Sequence, residues 1–275
     1  AAILFSDILI PIEAMGMDLE FTDKKGPVLK DPVRSKSGVD RLIVPDTEDS
    51  MSFVLEAIKI LRQELKVPLI GFSGAPFTLA TYMIEGGSTK NFINTKRIMF
   101  QNPGLFNLLM DKLTMTVISY LTAQIRAGAQ AVQIFDTWAG ILSADDYREY
   151  ALPYVKRVVS GVKKEGVPVI YFVNDCACLL KEIRKSGADV IGIDWRVDLH
   201  DAIKGLGKKY AVQGNLDPYA LFLPKEKLED RVKDVLWKGE FAKGHIFNLG
   251  HGIFPEAPLE GAIAMVEAVH RFSEK

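Results

Sequence analysis

The sequence predicts an α/β protein built on a parallel sheet, and three observations carry that reading. First, seven apolar, β-branched runs each end in a small or polar cluster: LFSD (4–7), LIGFSGAP (69–76), VQIFDTWAG (132–140), VIYFVND (169–175), VIGIDW (190–195), AVQGNLD (211–217) and IFNLGHG (246–252). Runs without polar alternation belong to strands buried on both faces, as in parallel sheets. Second, helical segments separate the runs, and the roughly 20-residue spacing in the second half suits a βα repeat. Third, no G-x-G-x-x-G or phosphate-loop glycine pattern follows any of these strands. An open doubly wound sheet would be expected to carry one, so a closed (β/α)8 TIM barrel is favoured. Such a barrel needs eight strands; seven are readable, and AAILFSD enters a strand almost at once.

Along the chain, PIEAMGMDLEFTDKKGPVLKDPVRSKSGVDRL (11–42) is rich in Pro, Gly, Lys and Asp and reads as a long irregular connection. A helix opens near Asp46 or Thr47, whose side chains can cap exposed amides, and runs through MSFVLEAIKILRQEL with apolar residues at helical spacing. After the strand LIGFSG, the segment APFTLATYMIEGG predicts a helix opening on Pro76 and stopped by Gly86 and Gly87. A long amphipathic helix follows Asn102 and Pro103 and ends at Gly128. Ser143 is placed to cap the next helix with Asp146 three positions on, and Pro153 should kink or divide it. From Val167 onward strand and helix alternate tightly: VPVIYFVND, LLKEIRKSG, VIGIDW, HDAIKGLG, AVQGNLD, KLEDRVKDVLWKG, HIFNLGHG and the closing GAIAMVEAVHRFSE. No linker interrupts the pattern, so residues 1–275 read as one barrel domain.

With 275 residues, 48% hydrophobic and 25% charged, the chain can bury a barrel-sized core. A net charge of −1 gives no overall attraction for nucleic acid or anionic membrane. No apolar stretch reaches the twenty or so residues of a membrane span, and a cytoplasmic protein is the default expectation. Cys176 and Cys178 are too close in sequence for an ordinary disulfide and read as small residues at a helix start.

In parallel α/β folds ligands bind at strand C-termini, so Asp7, Asp136, Asp194, Asp217 and His251, with Thr137, Trp195 and Asn215, should ring one mouth. Asp194 and Asp217 read as loop-holding caps, the latter in an Asp-Pro turn. Asp136 carries either reading. Asp7 lies among Phe5, Ile8, Leu9 and Ile10, where a carboxylate without a partner is costly, which favours a functional role. His251 sits between glycines whose backbone amides are open to a ligand. No zinc-protease motif, paired C-x-x-C or G-x-S-x-G elbow occurs, which leaves acid–base or electrostatic chemistry in a barrel mouth.

The blocks FSDIL (5–9), GFSGAPFTLATYMIEGG (71–87), GAQAVQIFDTWAG (128–140), VIGIDW (190–195), VQGNLDP (212–218) and FNLGHGIFPEAP (247–258) resemble the uroporphyrinogen decarboxylase family, in register along nearly the whole chain. The resemblance implies a (β/α)8 barrel, usually a homodimer, and no metal or organic cofactor. It also implies decarboxylation of the four acetate side chains of uroporphyrinogen III to methyls, giving coproporphyrinogen III in haem biosynthesis. By the same resemblance Asp7 is the catalytic and substrate-binding carboxylate, and Tyr82, Thr137 and His251 bind substrate, with apolar walls around Phe135 and Phe5.

The family also carries an arginine-rich RQAGRY segment after a strand that precedes FSDIL, and the sequence given contains neither. An anionic substrate requires cations, yet the mouth reads as acidic, with Asp7, Asp136, Asp194 and Asp217. The expectation is therefore a barrel whose first strand and N-terminal segment, roughly 70 to 80 residues judged against the family, are absent from this sequence. Two other functions compete. A zinc- or corrinoid-dependent methyltransferase of the same barrel superfamily would need His-x-Cys and a later Cys, which do not match Cys176, Cys178 and His251. A non-catalytic tetrapyrrole-binding relative would not need the retained Asp7, Tyr82, Thr137 and His251.

Overall fold

A computed structural model describes residues 1–4, 6–22 and 26–273. Seven strands form one sheet: β1 (Ala2–Ile3), β4 (Leu69–Gly74), β5 (Ala131–Asp136), β6 (Val169–Val173), β7 (Val190–Gly192), β8 (Ala211–Gln213) and β9 (His245–Ile246), neighbours in that order. Every ladder between them is parallel, with Ala2 opposite Leu69, Val132 opposite Val169 and Ile191 opposite Val212. Six of the seven runs read from the sequence thus contain strand residues, and β1 directly precedes the seventh, LFSD (4–7). Each consecutive pair is joined by an excursion containing helix, so all strand C-termini share one rim of a curled sheet. Among the described residues no ladder joins β1 to β9, and these two strands form the sheet edges.

Strand geometry sorts the side chains. Along β5, Val132, Ile134 and Asp136 point toward the helical layer, whereas Gln133, Phe135 and the following Thr137 point into the concave face. The outward residues pack with the helices into the main core, where Ile134, Val173 and Ile191 are fully buried.

Helix boundaries follow local chemistry. Pro76–Glu85 has its proline in the first turn and ends at Gly86, whose φ of 85° only glycine adopts cheaply and whose N–H closes the helix on the Tyr82 carbonyl. Asn102 caps the 25-residue helix Pro103–Ala127 by accepting the Leu105 N–H. Ser143 accepts the Asp146 N–H at 3.1 Å. The helices Ala144–Tyr150 and Leu152–Val162 separate at Ala151, with Pro153 in the first turn of the second.

Two expectations need correction. The connection 11–42 is ordered: it follows the start of a short helix, Ile10–Ala14, and holds an antiparallel hairpin of β2 (Leu19–Thr22) and β3 (Gly26–Leu29) and the helix Lys36–Arg41 capped by Ser35. The hairpin is largely exposed on β2, so it lacks the apolar alternation that marks a strand. A helix also spans Ile93–Gln101, its amides satisfied from outside. The Glu85 carboxylate accepts from the Thr95 N–H at 2.7 Å, the Thr95 hydroxyl at 2.8 Å and Asn94 at 2.9 Å. The segment LLKEIRKSG is helical only in short pieces, a four-residue α-helix Leu180–Ile183 between the 3-10 turns Ala177–Leu179 and Arg184–Ser186.

Candidate active site

At the rim of strand C-termini lies a cavity of about 450 Å³ whose lining includes Ile3, Phe135, Thr137, Phe172 and His251. Its walls are largely apolar: Phe135 meets Phe72 edge-on at 5.7 Å and Phe172 at 6.1 Å. Gln133 and Gln213 also line it, and the Gln213 amide donates to the Gln133 carbonyl at 3.1 Å, which satisfies both groups away from water. Two expected site residues, Thr137 and His251, therefore face the same space. The wall expected at Phe5 lies outside the described residues.

Asp7 and Tyr82 form a second pair. Asp7 is not the deeply buried, partnerless carboxylate inferred from its apolar neighbours. It is half-buried, and its Oδ1 accepts the Leu9 N–H at 2.7 Å, so the chain turns around the carboxylate instead of enclosing it. Tyr82, two turns into the Pro76–Glu85 helix, has its phenol pushed above the ordinary tyrosine range chiefly by burial. Hydrogen bonds with Ser88 and Trp138 oppose the rise, and the negative charge of Asp7 adds to it. Tyr82 is accordingly a neutral hydroxyl beside a carboxylate. The Trp138 ring lies 6.0 Å from that of Tyr82, and Trp138 follows Thr137, so the β5 loop joins this pair to the cavity.

His251 reaches the rim because Gly250 lies against the backbone of the β7 loop. A Cβ at Gly250 would sit 2.3 Å from the Trp195 nitrogen. The imidazole meets the Trp195 ring edge-on at 5.7 Å, and the Arg196 guanidinium covers the same indole at 3.8 Å. Loss of water around the ring, and then the positive charge of Arg196, hold the His251 imidazole below its ordinary range and favour the neutral form.

The expected acidic mouth is corrected. Asp136 and Asp194 are almost completely shielded from solvent. Asp136 points outward from β5 and accepts from Thr78 Oγ1 at 2.8 Å and Tyr171 OH at 2.7 Å, while Tyr147 bonds Tyr171 behind it. Burial pushes its pKa up to about 6. Asp194 accepts the amides of Cys176 and Arg196, each at 2.8 Å, and Asn215 ties that loop by donating to the carbonyls of Asp194 and Val197. Asp217 accepts the Tyr219 N–H at 2.9 Å. Asp194 and Asp217 hold loops, as their sequence contexts indicated. Trp138 and Arg196 stand next to expected site residues and the sequence reading passed over both; the signal was available, since each directly follows a residue placed at the mouth.

Elsewhere, ligand atoms of Asp198, His200 and Asp201 lie within 4.8 Å of one another. Asp198 already caps the Asp201 amide and pairs with Lys238 at 2.8 Å, so its charge is spoken for. Cys176 is buried and Cys178 exposed, both as free thiols.

The family profile described as uroporphyrinogen decarboxylase (URO-D) matches residues 1–272. The uroporphyrinogen decarboxylases of Geobacter sulfurreducens and Desulfotalea psychrophila are each 53% identical to this chain, covering all of it and 81% of their own length. Among solved structures, a methyltransferase from Methanosarcina mazei superimposes with a TM-score of 0.84 at 22% identity, over 100% of this chain and 81% of its own. A B12-independent methionine synthase from Shewanella sp. W3-18-1 gives 0.61 at 10% identity, over 94% and 74%. At these identities the two likenesses are of fold, that of a curled parallel sheet with helices outside. From the profile match and the relatives at 53% identity, the chain belongs to the uroporphyrinogen decarboxylase family.

Proposed function

We propose that this protein converts uroporphyrinogen III to coproporphyrinogen III by removing carbon dioxide from four acetate side chains, with Asp7 as the central carboxylate and Tyr82, Thr137 and His251 as substrate contacts. Besides family membership, one observation carries the reading. A half-buried carboxylate acts on a neutral phenol whose ring meets Trp138, and Trp138 follows Thr137 in the wall of a cavity lined by phenylalanines.

The chemistry asks little else of the protein. Protonating the α ring carbon next to the one that bears the acetate makes the ring cationic and iminium-like. The bond to the carboxylate then breaks, its electron pair neutralises the ring as an exocyclic methylene, and carbon dioxide leaves. Protonation of the methylene gives the methyl, and the first proton departs from the ring carbon, so each carboxylate consumes one proton. The Asp7 charge stabilises the cation and accepts from pyrrole N–H groups, and apolar walls strengthen that attraction by excluding water. Tyr82 and Thr137 supply hydroxyl donors, and neutral His251 supplies a ring donor, for peripheral carboxylates.

The finer architecture belongs to the same proposal: a single (β/α)8 barrel domain, closed by an eighth strand between β1 and β9, working as a cytoplasmic homodimer. Among the described residues β1 and β9 each leave one edge without a partner strand, which supports the closure. No helix among the described residues is long and apolar enough to cross a membrane. Light scattering of the purified full-length protein tests the dimer. Anaerobic incubation with uroporphyrinogen III, followed by chromatography of the oxidised products, tests the activity. Coproporphyrinogen formation is expected, and its absence overturns the assignment.

A further inference from the structure

Arg196 has no role in the chemistry above, yet four contacts hold it beside Trp195. Its Nη1 donates to the Asn174 side chain at 3.2 Å and pairs with Asp175 at 2.9 Å, with Asp194 at 3.7 Å. The guanidinium plane rests on the Trp195 ring at 3.8 Å. The indole in turn meets His251 at 5.7 Å, and Gly250 presses the His251 loop onto the Trp195 backbone. One end of the guanidinium is thus anchored and its plane is set by stacking. Among the described residues no protein acceptor bonds its Nε or Nη2, and 44% of the side chain is exposed. A pre-oriented planar fork with one free edge is suited to a carboxylate, and less of its rotamer freedom remains to be lost on binding.

We propose that the free Nε–Nη2 edge of Arg196 binds one peripheral carboxylate of the substrate, beside the one held by His251. The proposal rests on the tetrapyrrole reading above and deepens it: it places a cation where the sequence suggested only acidic groups. It also divides the work of the side chain, since Nη1 ties the β6 and β7 loops and the opposite edge faces the ligand.

The test uses the full-length protein, uroporphyrin III as an octacarboxylate binding probe followed by fluorescence quenching, and uroporphyrinogen III for turnover. Arg196→Gln is expected to weaken probe binding and raise KM about tenfold, with kcat within about twofold. Arg196→Lys keeps the charge without the fork and is expected to recover only part of the binding. Removing the charge should also raise the His251 titration midpoint in Arg196→Gln, read by NMR, and leave it in place in Arg196→Lys. Unchanged probe binding in a folded Arg196→Gln protein overturns the proposal, as does a change confined to melting temperature, which marks a loop clamp alone. If Arg196→Gln does not fold, wild-type binding by Arg196→Lys overturns it. Wild-type protein that binds the probe but releases no carbon dioxide overturns the decarboxylase reading instead, and the binding comparison still judges Arg196.

Discussion

Tyr171 donates its phenolic hydrogen to Asp136 at 2.7 Å in a region where both side chains are closed to water. The carboxylate has two hydroxyl donors and no cation among its influences, so burial dominates and pushes its pKa up to about 6. An unfolded aspartate titrates near ~3.9. Between about pH 4 and 6 the folded state therefore binds more protons than the unfolded one, and stability falls as pH rises through that window, then levels off above it. Asp136→Asn should remove this slope and, at pH 7.5, be at least as stable as wild type. The gain from not burying the charge reaches at most about 3 kcal/mol before hydrogen-bond losses of about 1 kcal/mol. Denaturant midpoints at pH 4.5 and 7.5 check it, and a slope retained by the variant contradicts it.

Asp7→Asn is expected to keep the fold, because the amide oxygen can still accept the Leu9 N–H. Loss of the charge should lower kcat by about 100-fold or more, in line with removal of one preorganised electrostatic group. Single-turnover rates with uroporphyrinogen III measure this, and a wild-type rate removes Asp7 from the mechanism.

The depressed His251 titration makes a kinetic forecast. The ring is neutral at pH 7, so KM should stay flat from about pH 7 to 8.5 and change only as the ring charges at acidic pH. His251→Ala should raise KM severalfold and leave the melting temperature nearly unchanged, since the side chain lies at the rim with much of its surface still in water and outside the packed core. Equal KM values for the two proteins would exclude contact with substrate.

Gly250 and Gly252 flank the same histidine with opposite constraints. A Cβ at Gly250 falls 2.3 Å from the Trp195 nitrogen, whereas one at Gly252 meets nothing within 4 Å. Gly250→Ala should cost about 1–3 kcal/mol of stability and raise KM by moving His251. Gly252→Ala should do neither. Thermal melts and initial rates on the pair check the contrast, and identical behaviour of the two variants would show that the loop contact is unimportant.

The parallel sheet was legible because each strand carries its own signal: buried on both faces, it reads as a β-branched run. Capping by Asn102 and Ser143 and termination at Gly86 were legible because each interaction spans a few residues. The hairpin β2–β3 was not, since an exposed strand leaves no apolar period. The helix Ile93–Gln101 was not, since its cap is Glu85, supplied across a loop. At the site, strand parity contained information that the reading of Asp136 did not use. Gln133, Phe135 and Thr137 share one face of β5, and Asp136 has the opposite parity.

By itself the sequence determined the α/β class, the order of seven strands, the rim that carries the candidate site and, through ordered blocks, the family. Only the tertiary structure decided the charge of that rim. It turned Asp136 outward, sealed Asp194 against backbone amides, left Asp7 partly open to water and laid Arg196 over Trp195 beside His251. The reason is physical. Burial and partnership set how much of a charge a ligand feels, and both depend on groups distant in sequence that come together only when the sheet curls.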